Sequence, residues 1–210
     1  MPKKAKEPMD GMLWEVLGPE VDKMREVLEL LGIDLEDENF RETHIRFVRY
    51  LKEYLQPYDV TDVLGIDFAN QNAVGGHDSY KGLVAQTNIP WNTICPHHLL
   101  PVIGRCHIGY IPNDRVVGLS KLTRLAQAVG REKPRMQETC TDIIADQFSE
   151  LVKPKGIVVV ISAIHGCMSG RGVLAHETPT VTSTVRGVFR DVPQARAEFF
   201  ELVRMNHVIP

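Results

Sequence analysis

Two short clusters of cysteine and histidine, far apart in the chain, have the residue types that bind metal ions. The first is Cys95-Pro96-His97-His98 and the second is His165-Gly166-Cys167. The C-x-x-H spacing of Cys95 and His98 places two ligands on one turn, and Cys167 can supply a third. Three nitrogen or sulfur ligands leave one position of a tetrahedral zinc ion open, which is typical of a catalytic site.

Two histidines, His97 and His165, lie beside these candidate ligands and have no ligand role of their own. Imidazole titrates near neutral pH, so both are candidates to transfer protons at the site. A second interpretation stays open, in which the cysteines of both clusters are small buried side chains and the histidines hydrogen-bond within loops. Packing is the favoured interpretation for Cys106, in a predicted strand, and for Cys140, in a predicted helix.

A group of polar and basic residues lies between the two clusters. Ser120 stands at the start of a predicted helix, where its hydroxyl could cap the first turn. The N–H groups of that turn, together with Lys121 and Arg124, would form a positive pocket that suits phosphate. An ordinary capped amphipathic helix with solvated cations fits the same pattern, which by itself favours that simpler interpretation.

Three more polar residues could contact a nucleotide. Gln137 and Glu138 place an amide beside a carboxylate, a pair able to read the edge of a guanine. Exposed helix side chains are the commoner origin of such a pair. Arg171 lies between glycines in a predicted loop after Cys167, where it could make a second phosphate contact or be a plain exposed arginine.

Length and composition limit the classes of protein to which the chain can belong. The chain has 210 residues, a net charge of −3 and 43% apolar residues, which predicts one sizeable domain with a core and argues against a nucleic-acid or membrane-surface role. Four cysteines, two of them beside histidines in the candidate clusters, indicate metal or thiol chemistry rather than a disulfide framework. Neither a membrane span nor a signal peptide is expected, and we predict a cytoplasmic protein.

Hydrophobic patterning predicts a helical lobe followed by an α+β domain whose sheet carries helices on one side. We expect an N-terminal tail and helical lobe over residues 1–75 and the main domain over 76–210. Gly32 is expected to end the first helix, and Pro134 to stand in the first turn of another. The predicted elements are helices over 19–31 and 40–54, strands over 83–89 and 104–111, helices over 120–129 and 134–152, strands over 157–164 and 181–189, and a helix over 193–205.

Seven motifs, in order, resemble those of the GTP cyclohydrolase I family. The resemblance covers roughly residues 80–205, and the helical lobe matches more loosely through Glu42-Thr43 and Arg46. The motifs are Cys-x-His-His-Leu-Leu-Pro at 95–101, Tyr-Ile-Pro-Asn at 110–113, Gly-Leu-Ser-Lys-Leu-x-Arg at 118–124, Gln-Glu at 137–138, His-x-Cys-Met at 165–168, Arg-Gly-Val at 171–173 and Thr-Val-Thr-Ser-Thr at 180–184.

The resemblance implies a fold, an assembly and a set of site residues. The fold would be the tunnelling fold, a four-stranded antiparallel sheet with two helices on one face, preceded by a helical hairpin. The subunits would form rings that stack to a homodecamer, with active sites between subunits. The implied roles are Zn²⁺ ligands for Cys95, His98 and Cys167, proton transfer for His97 and His165, guanine binding for Gln137 and Glu138, ribose contact for Ser120, and triphosphate contact for Lys121, Arg124, Arg171 and Arg46.

The implied activity is hydrolysis and rearrangement of GTP to formate and 7,8-dihydroneopterin triphosphate, the first step of pterin and tetrahydrofolate biosynthesis. Three departures bear on it: Pro96 replaces a glutamate usual in the family, His44-Ile45 replaces Pro-His before Arg46, and Ser169-Gly170 is smaller than usual before Arg171. None of them removes a ligand or a proton carrier. Two alternatives remain, a tunnelling-fold relative acting on another purine or pterin, and a non-catalytic oligomer stabilised by zinc.

Overall fold

The computed structural model describes residues 18–65 and 80–205, together with the backbone of 67–69. It divides into two compact units, one ending at Glu53 and the other beginning at Tyr54. The expected domain boundary at residue 75 and the expected N-terminal tail lie outside the described residues, so both stay predictions. Within the described part, no helix combines the length and the apolar character that crossing a membrane requires.

The first unit is the expected helical hairpin, formed by α1 (Pro19–Leu30) and α2 (Thr43–Glu53). An ion pair between Lys52 and Glu20 joins the end of α2 to the start of α1, so the helices run antiparallel. Gly32, with φ +83°, donates its N–H to a carbonyl of the last turn and ends α1 as predicted. The second helix begins later than expected because Asp37 accepts backbone N–H groups in a turn that precedes it.

The second unit is built on a four-stranded antiparallel sheet of order β2-β3-β5-β6, with β1 and β4 forming a separate two-stranded ribbon. Its elements are α3 (Val60–Leu64), β1 (Asp67–Ala69), β2 (Val84–Ile94), β3 (Pro101–Ile111), β4 (Arg115–Val117), α4 (Leu119–Glu132), α5 (Gln137–Val152), β5 (Gly156–His165), α6 (Gly166–Ser169), β6 (Thr180–Gly187), α7 (Val188–Asp191) and α8 (Pro193–Met205).

The main core lies between one face of the sheet and the two helices α4 and α5. Alternate strand residues such as Trp91, Ile108 and Ile157 are fully buried there against Leu125 and Phe148 of the helices. This arrangement confirms the expected sheet with two helices on one face. A smaller cluster on the opposite face joins α7 and α8 to β5, which sequence patterning did not predict.

Three element boundaries differ from the predictions. α5 begins at Gln137 rather than at Pro134, because Lys133 and Met136 are extended and the proline lies outside the helix. β2 continues past Ile89 to the first cysteine–histidine cluster, through a bulge in its pairing with β3. β6 ends at Gly187, whose φ of +57° and close approach to a neighbouring backbone oxygen turn the chain into α7.

The register of the sheet brings both cysteine–histidine clusters to one end. Ile94, the last residue of β2, pairs with Pro101, the first residue of β3. Val102, the next residue of β3, pairs with His165 at the end of β5. The turn that carries the first cluster therefore lies beside the strand end that carries the second.

Candidate metal and active site

The turn between β2 and β3 positions the first two candidate ligands. The N–H of Cys95 donates to the carbonyl of Leu100 at 2.9 Å, and the N–H of Leu99 donates to the carbonyl of Cys95 at 2.9 Å. Cys95 is buried and His98 is exposed on this turn. The short helix α6, which follows β5 directly, supplies Cys167.

Cys95, His98 and Cys167 could hold a metal ion between them. One ligand atom from each lies within 4.8 Å of the others, and no other such group occurs in the part of the chain that the structure describes. The Sγ of Cys95 lies 3.7 Å from the Nδ1 of His98, close to the distance of about 3.5 Å that separates sulfur and nitrogen ligands on a tetrahedral zinc ion. The Nδ1 of His97 is also 3.7 Å from the same sulfur.

The protonation of Cys167 follows from its surroundings. Burial and the neighbouring Cys95 raise the pKa of the Cys167 thiol above its usual value. The raised pKa favours the protonated thiol of Cys167, and a metal ion bound there would displace that proton.

Gln137 fixes the orientation of His165. The Nε2 of Gln137 donates to the carbonyl oxygens of Ile161 and Thr180, both at 3.0 Å, so its Oε1 faces the other way. That oxygen lies 2.8 Å from the Nε2 of His165, which therefore carries the proton and donates it. Burial lowers the pKa of His165, an effect that the carboxylate of Glu138 partly opposes, which favours the neutral imidazole with its Nδ1 unprotonated.

A cavity of about 210 Å³ joins these groups at the metal-binding end of the sheet. Six of the sequence-predicted residues line it, the two cysteine ligands, both proton-transfer histidines and the guanine-binding pair. Its described lining is Thr93, Cys95, Pro96, His97, Val102, Arg135, Met136, Gln137, Glu138, His165, Cys167 and Thr180. Gln137 is only 2% exposed and its amide is engaged within the protein, so its contact with guanine stays a prediction.

The start of α4 lies toward the other end of the sheet from this cavity. The N–H of Val117, just before α4, donates to the hydroxyl of Tyr110 at 3.2 Å, and Tyr110 pairs with the first residue of β2. Gly130, near the end of α4, packs against Asn92 close to the metal-binding turn. Since Leu119 precedes Gly130 by eleven residues, the helix start is about 16 Å further away along its axis.

Ser120, Lys121 and Arg124 are therefore not brought to the cavity of their own chain. Ser120 and Arg124 are exposed, whereas Lys121 is 6% exposed. The prediction that Ser120 caps the helix is wrong. The cap position belongs to Gly118, which offers no side chain, and Ser120 is already the second helical residue.

The two remaining predicted arginines lie in different surroundings. Arg171 is exposed in the loop after α6, and its Nη1 lies 2.9 Å from the Nε2 of His98, so it reaches the metal-binding group. Arg46 lies on α2 in the first unit, where it pairs with Glu42 at 2.9 Å. Its role in phosphate binding stays a prediction.

Thr93 and Arg135 line the cavity although sequence reasoning did not select them. Thr93 is buried near the end of β2, and Arg135 lies on the extended segment before α5. A threonine in a strand and a basic residue between two helices are common in any domain. Only the tertiary fold shows that both face the same space.

Comparison with known protein families identifies the family of this chain. The family model described as GTP cyclohydrolase I matches residues 21–204, which include both clusters and the helical hairpin. The chain belongs to the GTP cyclohydrolase I family. It is accordingly a hydrolase acting on cyclic amidines, and its sheet and helices are those of the tunnelling fold.

Relatives from distant organisms agree with the family match. GTP cyclohydrolase 1 of Dictyostelium discoideum is 37% identical over 194 residues, covering 91% of this chain and 80% of that protein. GTP cyclohydrolase 1 of Caldanaerobacter subterraneus is 39% identical over 183 residues, covering 86% and 93% respectively. The solved apo structure of an archaeosine synthase QueF-like protein superposes on this chain with a TM-score of 0.42 and 13% sequence identity. The superposition covers 50% of this chain and 94% of that one.

Proposed function

We propose that this protein is a cytoplasmic, zinc-dependent enzyme that converts GTP and water to formate and 7,8-dihydroneopterin triphosphate, the first step of pterin and tetrahydrofolate biosynthesis. The observation that carries the proposal is the cavity that Cys95 and Cys167 line together with His165 and Glu138, with His98 beside both cysteines. A metal group, a proton carrier and a carboxylate in one space are what the opening of a purine ring by hydrolysis requires.

The three ligands fit Zn²⁺. Two sulfurs and one imidazole nitrogen form a set that zinc prefers, and the fourth position would remain for water or substrate. When bound, zinc would lower the pKa of a coordinated water toward about 7, which provides a nucleophile at neutral pH. Cys95 and Cys167 would bind the metal as thiolates.

His165 is positioned to move protons on the purine. Its Nε2–H is held by Gln137, so Nδ1 is the atom that can accept a proton from water and return it to an imidazole-ring nitrogen of the substrate. His97, which is exposed on the metal-binding turn, would serve as the second proton carrier. Glu138 would accept hydrogen bonds from the N1–H and 2-amino groups of guanine.

Arg171 supports binding of the triphosphate. Its guanidinium donates to the Nε2 of His98. A metal ion on Nδ1 of His98 would leave the proton on Nε2, so the guanidinium would lose its acceptor and become available for a phosphate oxygen. Arg46 is proposed as a further phosphate contact.

A homo-oligomer, which we propose to be a decamer, would complete the site. Ser120, Lys121 and Arg124 lie toward the far end of the sheet from the metal group, so one chain cannot present both halves to one nucleotide. Placing the start of α4 of one subunit against the cavity of its neighbour would supply the ribose and triphosphate contacts.

The test is to incubate zinc-loaded protein with GTP and to measure formate together with the fluorescent oxidised pterin. We expect both products from the wild type and neither from Cys167→Ala or His165→Ala. His176→Ala is the matched control, because this histidine is exposed and lies outside the cavity. Absence of both products from wild-type protein that binds zinc would refute the proposal.

One observation favours a second candidate, the non-catalytic zinc-stabilised oligomer. The Nδ1 of His97 is as close to the sulfur of Cys95 as the Nδ1 of His98, so His97 could close the fourth coordination position. X-ray absorption of the zinc protein separates the two. Two sulfurs, one nitrogen and one oxygen support the enzyme, whereas two sulfurs and two nitrogens support the structural role. The remaining alternative is a tunnelling-fold enzyme that acts on another purine or pterin. Such an enzyme would form no product from GTP but would form one from its own substrate.

A further inference from the structure

Two buried polar atoms in the wall of the cavity have no hydrogen-bond partner among the described residues. They are the Oγ1 of Thr93 and the Nη1 of Arg135. Thr93 is 1% exposed, and the side chain of Arg135 is 14% exposed. Buried polar atoms in folded proteins are nearly always bonded to protein, ligand or ordered water, so a partner outside the chain is indicated for both.

Among the described residues, one ion pair restrains the guanidinium of Arg135. Its Nη2 forms an ion pair with Glu132, at the end of α4. That pair neutralises the charge and restrains the side chain, while the N–H groups of Nη1 remain to donate. Thr93 adds a hydroxyl that can also donate. Both atoms therefore suit an acceptor, such as a carbonyl oxygen, that enters the cavity.

The other polar side chains of the cavity leave this role to Arg135. Gln137 is engaged by backbone carbonyls and by His165. Glu138 is an acceptor when ionised, and it can satisfy only the N1–H and 2-amino groups of a guanine. The adjacent 6-oxygen of the same base is an acceptor and needs a donor. Arg135 precedes Glu138 by three residues and lines the same cavity.

We infer that Arg135, assisted by Thr93, binds the 6-oxygen of the substrate's purine and so selects a 6-oxopurine over a 6-aminopurine. The inference rests on the proposed function, because it assumes that the cavity receives a guanine nucleotide. An adenine would turn its 6-amino group toward the N–H groups of Arg135, and two donors facing each other are rejected strongly in a buried site. Arg135 is thus a specificity-determining residue.

The test compares GTP with 6-thioguanosine 5′-triphosphate, which keeps the N1–H and 2-amino groups and replaces the 6-oxygen by sulfur, a weaker acceptor. Equilibrium binding of each nucleotide is measured for the wild type, Arg135→Met, Arg135→Lys and Lys133→Met. Lys133→Met is the matched control, since it removes an exposed positive charge two residues away. Thr93→Val removes the hydroxyl while keeping the volume of the side chain.

Wild type should bind GTP more tightly than the thio analogue, and Arg135→Met should reduce that preference by roughly fivefold or more, as expected for a lost hydrogen bond from a charged donor. Arg135→Lys should keep part of the preference, Thr93→Val should lose a smaller part, and Lys133→Met should equal the wild type. An Arg135→Met variant that weakens both nucleotides equally overturns the inference, as does a wild type without preference. If Arg135→Met does not fold, Thr93→Val takes its place. A reduced preference for GTP over the thio analogue in Thr93→Val, with the wild-type preference kept in Lys133→Met, supports the inference, and an unchanged preference in Thr93→Val overturns it.

Turnover separates this inference from the proposed function. Wild-type protein that discriminates between the two nucleotides but releases no formate would refute the proposed function and leave the role of Arg135 standing. Wild-type protein that releases formate from GTP, with a preference that is unchanged in Arg135→Met, would refute the role of Arg135 and leave the function standing.

Discussion

Replacing Gln137 with leucine should destabilise the protein and impair catalysis together, because this buried amide joins α5 to two strands and to His165. Its Nε2 donates to two backbone carbonyls at 3.0 Å, and its Oε1 accepts from His165 at 2.8 Å. Nε2 also lies 3.1 Å from the hydroxyl of Thr182, which shares the two N–H groups with the carbonyls. The loss is therefore about three full hydrogen bonds at about 1 kcal/mol each, roughly 3 kcal/mol of unfolding free energy. For a unit of this size, each kcal/mol corresponds to roughly 2–4 °C, so Tm should fall by about 6–12 °C.

Gln147→Leu provides the matched control on the same helix. Gln147 accepts one hydrogen bond, from the hydroxyl of Tyr58 at 2.7 Å, and lies outside the cavity. Its loss should lower Tm by only about 2–4 °C. Calorimetry should compare the two variants with wild type at one chain concentration and one zinc concentration, because assembly and metal both shift Tm.

The same pair of variants tests the positioning of the proton carrier. Without Gln137, the ring of His165 is no longer fixed, and kcat should fall by roughly tenfold to a hundredfold, the usual effect of losing an orienting partner. Gln147→Leu should keep kcat. An equal loss of Tm in both variants would refute the claim that Gln137 contributes more hydrogen-bond energy than Gln147. An unchanged kcat in Gln137→Leu would refute the claim that Gln137 orients His165.

Three further predictions follow from packing and protonation. Zinc should protect Cys167 from alkylation at pH 8, as followed by mass spectrometry, whereas Cys140 should stay unlabelled with or without metal, because burial raises its pKa to about 12. Gly130→Ala should lower Tm sharply, because the added carbon would lie 2.4 Å from a backbone oxygen. In Gly170→Ala the closest contact of the added carbon is 3.2 Å, so this variant should be tolerated. Equal losses of Tm in the two variants would refute the difference in packing. A threonine hydroxyl and an arginine lower the pKa of Asp142, so its small contribution to folding stability is present above the unfolded pKa and is lost as pH falls through the folded pKa. Asp142→Asn should therefore make Tm fall less steeply with decreasing pH than in the wild type. An identical dependence of Tm on pH in the two proteins would refute this.

The juxtaposition of Cys95, His98 and Cys167 was predictable from the sequence because short spacing and strand ends largely determine it. Cys95 and His98 share one turn, and the pairing of the strands that they border brings Cys167 beside them. The surroundings of Arg135 were not predictable in this way. Its cavity depends on where an extended segment passes between two helices, and no local pattern in the chain specifies that path.

The helix starts show why some local predictions failed. Pro134 and Ser120 are both residues that favour the first turn of a helix, yet neither takes the position expected of it. The helix containing Ser120 begins earlier, at Leu119, and the helix after Pro134 begins only where Gln137 can reach the carbonyls of two strands. Long-range hydrogen bonding thus outweighed local preference.

The distance between the start of α4 and the metal-binding turn has a genetic consequence. In the proposed oligomer each site takes its metal half from one chain and its phosphate half from a neighbour, so a chain defective in Lys121 and a chain defective in His165 damage opposite halves of every site. Random co-assembly of equal amounts would give about a quarter of the sites two intact halves. Two inactive alleles of this protein could therefore complement each other, whereas two alleles that both damage the metal half could not.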